Sequence, residues 1–597
     1  MRSINEVNLK ELAKDREYYK SPQNWEDEIL YFLLVDRFSN GAEKDLYRHT
    51  DYENVLCNEE TKKIWEEFGD KWNGGNLKGI KSKISYLKNM GVTAIWISPV
   101  LRQVAFEESY HGYGIQNFLD IDPHFGVKED LKELVDEAHK NGIYVIMDII
   151  LNHTGNVFAY EETETVYNGS QFHVKAFRDK NGQPVIPLDN PPIDEIWPDG
   201  GVWPLELMNR ETFTRKGHII NWDVYPEYAE GDFYSLKNIY TGSGDYTEFN
   251  PSEALKILTE CYKYWIAYAD IDGFRLDTVK HLEQGATRYF TTEIHEYSKT
   301  IGKNNFYIIG EITGGIEFAI ETLEKTGLNA ALGINKIPEK LENITKGYAD
   351  SVEFFDIFRN SNLLGENENT WYRDNVITMF DDHDMVIHRD QKHRFCADKS
   401  TNSLIVNALF LNLFSLGIPC IYYGTEQGFD GSGDREKYVR ENMFGGEFGT
   451  FRTRGKHFFD DKNPLYLNIS KMCKVRKENL ILKQGRQYQR EISYDGLDFS
   501  FPHKLGDGRH EGVVAWSRIL SQDEVVMAMN SHIEKDLKVD VVLDPGIHKE
   551  GEKFTCIYSS EESFEETTVS SFFIGERLVI PVNVPKHGCV IYSKKQL

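Results

Sequence analysis

The sequence predicts an α/β protein: a parallel (β/α)8 barrel, an inserted subdomain after strand three, and a C-terminal antiparallel β-sandwich. Three observations lead to this prediction. Eight apolar runs of strand length alternate with amphipathic helical patterns, over a hundred residues separate the third run from the fourth, and helical patterns stop near residue 485. Strands joined by helices form a parallel sheet covered on both faces, and eight such strands close into a TIM barrel.

The barrel strands are predicted from near-continuous apolar runs, which are typical of strands buried on both faces. These runs are 29–38, 93–100, 143–150, 272–279, 306–312, 330–337, 375–382 and 418–426. Helical spacing lies between them. In "KEDLKELVDEAHKNG" apolar residues recur at i, i+3, i+4 and i+7 before Gly142, and "LKGIKSKISYLKNMG" predicts one helix that ends at Gly91.

The same patterns divide the chain into domains. The insert is rich in Pro, Gly, Asn and Trp and is too long to be a simple loop. After the barrel, alternating runs such as "GVVAWSRI", "EVVMAMNS" and "RLVIPVNV" predict antiparallel strands. The predicted parts are an N-terminal arm (1–28), the barrel (29–151 and 236–484), the insert (152–235) and the sandwich (485–597).

Composition limits the kinds of partner. The chain has 597 residues, with 95 Asp and Glu against 68 Lys and Arg, and a formal net charge of -27. Such a negative surface repels phosphate backbones and anionic lipids, so nucleic acid and membrane are not expected as partners. The run 405–424 is interrupted by Asn, Gly and Pro, and it predicts a buried helix and a strand rather than a membrane span.

The cysteines and the N-terminus predict a cytoplasmic location. Seven cysteines are scattered without C-x-x-C spacing, which argues against a disulfide framework or a zinc site and favours a reducing compartment. The first twenty residues contain no apolar signal segment. No motif for an organic cofactor is present.

Polar residues recur at the carboxyl ends of the predicted strands, where barrel enzymes place their catalytic groups. A single one of them could be a structural residue, but their repetition at successive strand ends predicts one site. Strands three, four, five and seven supply them: Asp148, Asn152, His153, Arg275, Asp277, Glu311, His383 and Asp384.

Two of these residues suggest the chemistry. Strand alternation places Arg275 and Asp277 on the same face, where the guanidinium is expected to lower the carboxyl pKa and keep Asp277 ionised as a nucleophile. Glu311 has no neighbouring cation in the sequence, so its pKa is expected to rise, as a general acid requires. Two carboxyl groups whose pKa values are shifted in opposite directions are typical of enzymes that cleave glycosidic bonds.

The motifs resemble those of the α-amylase family of glycoside hydrolases (family 13). "DIILNH", "GFRLDTVKH", "GEI" and "FDDHD" resemble its four signatures in the family's order, and "GIPCIYYGTEQG" resembles its last barrel strand. The resemblance runs from about residue 29 into the C-terminal domain. It implies a retaining hydrolase of α-1,4-glucosidic bonds in starch-derived glucans or maltodextrins.

The resemblance also implies residue roles. Asp277 would be the nucleophile, Glu311 the general acid and base, and Asp384 would hold the sugar's 2- and 3-hydroxyls. Arg275 would align Asp277, and Asp148 would support Arg275. The remaining predicted sugar-binding residues are Tyr113, His153, His383 and, on the leaving-group side, Lys280 and His281.

A structural calcium ion is the one cofactor that the resemblance implies. The family's site uses an Asn, an Asp and a backbone carbonyl, which correspond here to Asn152, Asn238 and His281. Asn238 stands where the family has a carboxylate, which weakens a site for a hard cation, and nearby Asp232 could compensate. The sequence also departs from the family pattern at Gly114, often Trp, which predicts a differently shaped donor end.

Several alternatives stay open. Within the family, 4-α-glucanotransferases and exo-acting α-glucosidases or maltogenic enzymes share this catalytic set. An inactive carbohydrate-binding relative is disfavoured because both Asp277 and Glu311 are present. A barrel metallohydrolase is disfavoured because no His-x-His pair follows strand one and Arg275 would repel a metal cation.

Overall fold

The computed structural model describes most of the chain, and its architecture confirms the predicted fold class. The described residues are 1–43, 47–48, 59–188, 196–332, 337–358, 374–385, 391–445, 456–504 and 506–594. Part of the predicted sixth strand and Cys57 lie outside these ranges. Within them, no helix is long and apolar enough to cross a membrane.

Eight parallel strands form the barrel, in the order in which they were predicted. They pair in sequence around the sheet, and the first strand also pairs with the eighth. A parallel bridge between Ala331 and Val376 joins the sixth strand to the seventh and closes the ring. The strands are β1 Leu30–Leu33, β2 Ala94–Ile97, β3 Tyr144–Ile149, β4 Gly273–Leu276, β5 Tyr307–Glu311, β6 Ala330–Leu332, β7 Ile377–Thr378 and β8 Ile418–Tyr422.

Amphipathic helices cover the outside of the barrel and bury their apolar faces against the strands. The predicted helix over 77–90 is wrong in one respect, because it is broken at Lys83 into two helices. Gly79 packs so closely on the Ser39 carbonyl that an added Cβ would lie 1.9 Å from it. The principal helices are Leu77–Ser82, Ile84–Met90, Lys128–Lys140, Glu253–Ala269, Gln284–Thr300, Ile316–Thr326, Ile337–Lys346, Ile405–Phe414 and Pro464–Glu478.

The insert after β3 contains a small antiparallel sheet and little other regular structure. The sheet consists of Phe158–Tyr160, Val174–Arg178 and Pro184–Ile186. The chain re-enters the barrel through a short ladder in which Asn238 pairs with His153 and Lys237 with Thr154. This ladder fixes the insert against the carboxyl end of β3, beside the strand ends that carry the polar residues.

The C-terminal region is a two-sheet antiparallel sandwich with its own apolar core. One face of the larger sheet packs on the barrel, where Trp516 contacts Phe410. The six-stranded sheet contains Arg486–Arg490, Val513–Leu520, Asp523–Asn530, Cys589–Ser593, Lys553–Ser559 and Thr568–Ser570. The four-stranded sheet contains Ile492–Ser493, Leu537–Val542, Arg577–Val584 and Phe572–Ile574.

Candidate active site

The parallel register brings the charged residues of β3, β4 and β5 together. Arg275 on β4 lies directly opposite Asp148 on β3. Leu276 lies opposite Gly310 on β5, so the next residues along the two strands are Asp277 and Glu311. Because all strands are parallel, these side chains meet at one end of the barrel.

Arg275 is fully buried and contacts three carboxylates. Its Nη1 lies 3.0 Å from Asp148 Oδ1 and 2.6 Å from Asp277 Oδ1. Its Nη2 lies 3.0 Å from Glu311 Oε1. Glu311 has no cation near it in the sequence, but the register of the strands places Arg275 beside it.

Asp148 holds Arg275 from the neighbouring strand β3. Its second carboxylate oxygen accepts hydrogen bonds from Trp96 Nε1 (3.2 Å) and from the Tyr113 hydroxyl (3.0 Å). With all of its oxygens engaged by protein groups, Asp148 holds Arg275 rather than presenting an oxygen to a ligand.

The pKa of Glu311 shifts in the predicted direction, whereas that of Asp277 does not. Burial raises the pKa of Glu311 to about 7, although Arg275 opposes this shift. Burial also raises the pKa of Asp277, and Arg275 together with a hydrogen bond from Glu311 opposes the rise. The predicted lowering at Asp277 is therefore wrong in direction, because burial of the carboxyl group outweighs the opposing effect of Arg275.

The backbone after β4 is shaped to hold Glu311. Thr278 has a positive φ of 49°, which is unusual for a β-branched residue and costs roughly 1–2 kcal/mol. In this conformation its backbone N–H donates to Glu311 Oε2 at 2.9 Å. Thr278, which directly follows Asp277, thus fixes the carboxyl group of Glu311.

Asp384 is held by a local turn and by a residue that the sequence reasoning missed. Asp382 Oδ1 accepts the backbone N–H groups of Asp384 and Met385, each at 2.6 Å, which is an Asx turn. Arg440 Nη2 contacts Asp384 Oδ1 at 2.5 Å, and its Nε donates to the His383 carbonyl at 2.9 Å. Burial opposes ionisation of Asp384, but the cationic Arg440 beside it outweighs this effect and lowers the pKa of the carboxyl group, which keeps it ionised.

Tyr113 and His383, two of the predicted sugar-binding residues, contact each other beside Asp384. The Tyr113 hydroxyl lies 2.9 Å from His383 Nε2, and the two rings are stacked. Burial lowers the pKa of His153 to about 4 and that of His383 to about 3, so both rings are neutral near pH 7. Among the described contacts, His153 Nε2 and His383 Nδ1 are buried nitrogens with no protein partner. Both nitrogens are shielded from solvent, and each keeps an unused capacity for one hydrogen bond.

Gly114 does not leave an open space where the family often has Trp. Its N–H donates to Gln103 Oε1 at 2.7 Å, and an added Cβ would lie 2.8 Å from Ser109 Oγ. The loop that carries Tyr113 is therefore packed against the 101–109 segment, and a side chain at position 114 would require the Ser109 hydroxyl to move.

Lys280 and His281 contact the insert rather than the three carboxylates. Lys280 Nζ forms an ion pair with Asp223. His281 Nδ1 lies 2.7 Å from the Tyr228 carbonyl oxygen, and its ring packs on Phe233. The segment after Asp277 thus ties the insert to the catalytic strand.

Of the predicted calcium ligands, Asn238 has a buried Oδ1 with no hydrogen-bond partner among the described contacts, while its amide nitrogen and the nearby carboxylate are engaged by protein groups. Asn238 Nδ2 donates to Thr214 Oγ1 and to the Ala229 carbonyl. Asp232, the nearby carboxylate, is already neutralised by Lys237 Nζ at 3.6 Å and accepts the Tyr160 hydroxyl at 2.7 Å. In the described ranges no group of three or more His, Cys, Asp or Glu could hold a metal ion. Calcium stays a prediction, and no step of the mechanism below uses it.

Chelation tests the calcium prediction against the ion pair of Lys237 and Asp232. If Lys237 supplies the positive charge beside Asp232 in place of a metal ion, EDTA leaves the thermal unfolding midpoint and the activity unaltered. Lys237→Met should instead destabilise the fold by about 3 kcal/mol, since it leaves a buried carboxylate unpaired. Scanning calorimetry before and after chelation tests this, and a large loss of stability in EDTA would show that a metal is required.

Arg440→Met should impair turnover without unfolding the protein. Losing the contacts to Asp384 and the His383 carbonyl allows the Asp384 carboxylate to move, and a misplacement of about 1 Å can cost about a hundredfold in rate. We expect that reduction in kcat/KM, with partial recovery in Arg440→Lys. Steady-state kinetics and the unfolding midpoint of both variants check it, and full activity in Arg440→Met would contradict this role.

The alkaline limb of the pH profile should report Glu311. A general acid acts only while it is protonated, and the pKa of Glu311 is raised to about 7. We therefore expect kcat/KM for an oligosaccharide to fall as the pH rises through this value. The check is a pH profile with buffers of constant ionic strength, and activity that is maintained far above that pH would exclude Glu311 as the acid.

Comparison with known proteins points to the same family as the sequence motifs. The family model described as "Alpha amylase, catalytic domain" matches residues 32–445. An α-amylase of Streptomyces lividans is 27% identical over 499 residues, which cover 77% of this chain and 52% of that protein. A cyclomaltodextrin glucanotransferase of Niallia circulans is 24% identical over 535 residues, covering 87% of this chain and 63% of that protein. The chain thus spans about half to under two thirds of the length of these two relatives.

Solved structures share the architecture. The crystal structure of an α-amylase from Geobacillus thermoleovorans, complexed with acarbose, superimposes with a TM-score of 0.65 at 22% identity. The match covers 96% of this chain and 99% of that chain. It establishes the fold over nearly the whole length.

Proposed function

From the premise that this chain belongs to the α-amylase family of glycoside hydrolases, we propose that it cleaves α-1,4-glucosidic bonds with retention of configuration. The substrates are starch-derived α-glucans or maltodextrins. The observation that carries the proposal is the shared contact of Asp277 and Glu311 with one guanidinium, that of Arg275. Both carboxyl groups lie within 3.0 Å of the same guanidinium, which fits a double-displacement mechanism better than an inverting one, because the latter needs room for a water molecule between them.

In the first step Asp277 is the nucleophile. Its carboxylate attacks the anomeric carbon while Glu311 gives its proton to the glucosidic oxygen, the bond between that carbon and oxygen breaks, and the leaving chain departs as an alcohol. The product is a β-glycosyl ester of Asp277. The raised pKa of Glu311 keeps a proton available near pH 7.

In the second step Glu311 is the base. It removes a proton from water, the oxygen attacks the anomeric carbon, and the ester bond to Asp277 breaks to release the α-anomer. Asp384 and the free nitrogens of His153 and His383 bind sugar hydroxyls, and these contacts strengthen as positive charge develops on the ring. Arg275 aligns both carboxyl groups throughout.

A second candidate function is glucanotransfer. The Niallia circulans relative is named a cyclomaltodextrin glucanotransferase, and its match covers most of this chain. The chemistry differs only in the acceptor, because a sugar hydroxyl replaces water in the second step. Exo-acting cleavage is a third variant of the same reaction.

Product analysis with maltoheptaose separates these possibilities. Internal cleavage with early release of α-anomers supports an amylase, products longer than the starting sugar mean transfer, and a single short product from one end means exo action. Pullulan and sucrose serve as controls for linkage preference. No turnover of any α-glucan would reject the proposal and favour a carbohydrate-binding relative.

We also propose a cytoplasmic location. The six cysteines that the structure describes are buried and unpaired, as is usual in a reducing compartment. Fractionation of the source cells tests this, and recovery of the protein outside the cell would contradict it.

A further inference from the structure

Tyr110 is a buried residue that the mechanism described above does not use. It is 4% exposed, and its hydroxyl accepts a hydrogen bond from Arg440 Nη1 at 3.3 Å. The face of its ring carries the guanidinium of Arg37, whose central carbon lies 3.9 Å from the ring centroid. The tyrosine therefore connects two arginines, one from the short helix Val35–Phe38 after β1 and one from the segment after β8.

Arg37 is a fixed support for this ring. The side chain is fully buried, and its Nη2 donates to the backbone carbonyls of Gly69 at 2.7 Å and Lys71 at 3.1 Å. Its Nε lies 3.5 Å from Asp36 Oδ2. A guanidinium that is held in this way attracts the face of an aromatic ring, and more strongly where water is excluded. The position of the Tyr110 ring is therefore set by the end of β1.

Arg440 carries this position to Asp384. Its Nη2 contacts Asp384 Oδ1 at 2.5 Å, and its Nε donates to the His383 carbonyl at 2.9 Å. Both of these partners belong to the same short segment after β7, so the two contacts alone would let Arg440 and that segment shift together. Tyr110 belongs to a different loop, and its hydroxyl holds the guanidinium from outside the segment.

The loop that carries Tyr110 is itself rigid. The backbone N–H of Tyr113 donates to His111 Nδ1 at 3.1 Å, and the rings of these two residues are stacked. Gly112 has a φ of 91°, and an added Cβ would lie 2.1 Å from the Pro99 carbonyl oxygen, so the loop packs directly on the segment after β2. Tyr110 and Tyr113 thus have a fixed relation to each other and to the barrel.

The ring and the hydroxyl of Tyr110 have separable roles. The ring fills space and contacts Arg37, which a phenylalanine would do equally well. The hydroxyl contacts Arg440 alone among the described residues. A hydrogen bond to a charged, buried group is stronger than one between neutral groups, and it fixes the direction of the guanidinium. The effect of the hydroxyl on the active site is therefore exerted through Arg440.

We propose that Tyr110 is a positioning residue for the cleavage reaction, whose hydroxyl holds the Arg440 guanidinium and through it the Asp384 carboxylate. The inference rests on the proposed function, in which Asp384 binds sugar hydroxyls, and it extends that function to a residue that forms no bond to the reacting atoms. Because the contacts of Asp384 strengthen as charge develops on the ring, a loosened carboxylate costs more in the transition state than in the bound substrate.

Tyr110→Phe tests the hydroxyl while the ring stays on Arg37. Tyr466→Phe is the matched control, because Tyr466 is 3% exposed and its hydroxyl donates to the Tyr86 carbonyl at 2.8 Å, on a helix outside the barrel. Each variant loses one buried hydrogen bond of a tyrosine hydroxyl. Circular dichroism and the thermal midpoint should show that both variants are folded.

Kinetics on maltoheptaose give the first readout. We expect Tyr110→Phe to lower kcat roughly tenfold with a KM close to that of the wild type, since one hydrogen bond to a charged group is lost in the transition state. Tyr466→Phe should match the wild type. In an Arg440→Met background, adding Tyr110→Phe should cost less than about twofold, because the guanidinium through which the hydroxyl acts is absent.

A substrate that lacks one partner of Asp384 gives the second readout. The pair is an aryl α-maltotrioside and its analogue without the 2-hydroxyl on the reacting glucose. Removing this hydroxyl takes away part of what Asp384 binds, so the penalty of Tyr110→Phe should shrink from about tenfold to about threefold. A mere loss of folded protein would reduce the rates on both substrates equally.

The outcomes separate the inference from the proposed function. Unchanged kinetics in Tyr110→Phe with an active wild type would reject the inference alone. Equal losses on both aryl substrates, or a full tenfold loss in the Arg440→Met background, would show a structural role and would also reject it. If the wild type cleaves no glucan and releases no aryl group, the proposed function fails and the inference fails with it.

Discussion

Asp277→Asn is expected to reduce kcat by at least about 10⁴-fold, because removal of a covalent nucleophile abolishes the two-step route. Asparagine keeps the size of the side chain and one hydrogen-bonding oxygen for Arg275. The fold should therefore survive, as circular dichroism and the thermal midpoint can show. Turnover should be measured with both maltoheptaose and an aryl maltoside, since both require the nucleophile.

Chemical rescue gives this prediction a sharper form. In Asp277→Ala, azide can enter from the face that the carboxylate occupied and should yield a β-glycosyl azide from an activated aryl α-maltoside. Asp148→Asn is a useful comparison, because Asp148 holds Arg275 but has no oxygen directed at substrate, and azide should not rescue it. Near wild-type activity in Asp277→Asn would overturn the assignment.

Glu311→Gln should have a large effect that depends on the leaving group. General acid catalysis contributes about 10²–10⁴-fold, so we expect kcat on maltoheptaose to fall by about 10³-fold. An aryl substrate with an acidic phenol needs no protonation, and its first step should remain fast. The second step still lacks a base, so a burst of phenol followed by slow turnover is expected.

Azide should reactivate Glu311→Ala by a different stereochemical course. Azide needs no base, and it attacks the ester on Asp277 from the opposite face to give an α-glycosyl azide. The two variants thus give azides of opposite configuration, which proton NMR distinguishes. Identical products from both variants, or the same loss of rate on all substrates in Glu311→Gln, would contradict the division of roles.

Much of the candidate site could be predicted because its charged residues lie at the ends of apolar strands in the sequence. Asp148, Arg275, Asp277 and Glu311 interrupt apolar runs, and parallel strands bring such ends together whatever the connecting loops do. The eight strands were identified for the same reason, since burial on both faces leaves a continuous apolar run.

The electrostatics could not be predicted in the same way. The cation beside Glu311 is Arg275, which is 36 residues earlier in the chain and becomes a neighbour only through the register of β4 and β5. The sequence suggested that Arg275 contacts Asp148 and Asp277, and the structure adds Glu311 as a third carboxylate beside it. Burial then raises the pKa of Asp277, where the sequence had suggested a lowering.

Arg440 was missed because nothing in its local sequence marks it. It lies in "YVREN", in an irregular segment after β8, where neither periodicity nor a strand end indicates a site. Lys237 was missed for a related reason, because its pairing with Asp232 depends on the fold of the insert. Contacts made by loops follow from tertiary structure rather than from a local pattern.

The most direct test of the account is to trap the covalent intermediate. Glu311→Gln can be mixed with α-maltotriosyl fluoride, whose leaving group needs no acid, and the protein can be digested and analysed by mass spectrometry. Slow hydrolysis should let the intermediate accumulate, and the account predicts a maltotriosyl adduct on Asp277. An adduct on another carboxylate, or turnover that releases the β-anomer with no adduct, would contradict it.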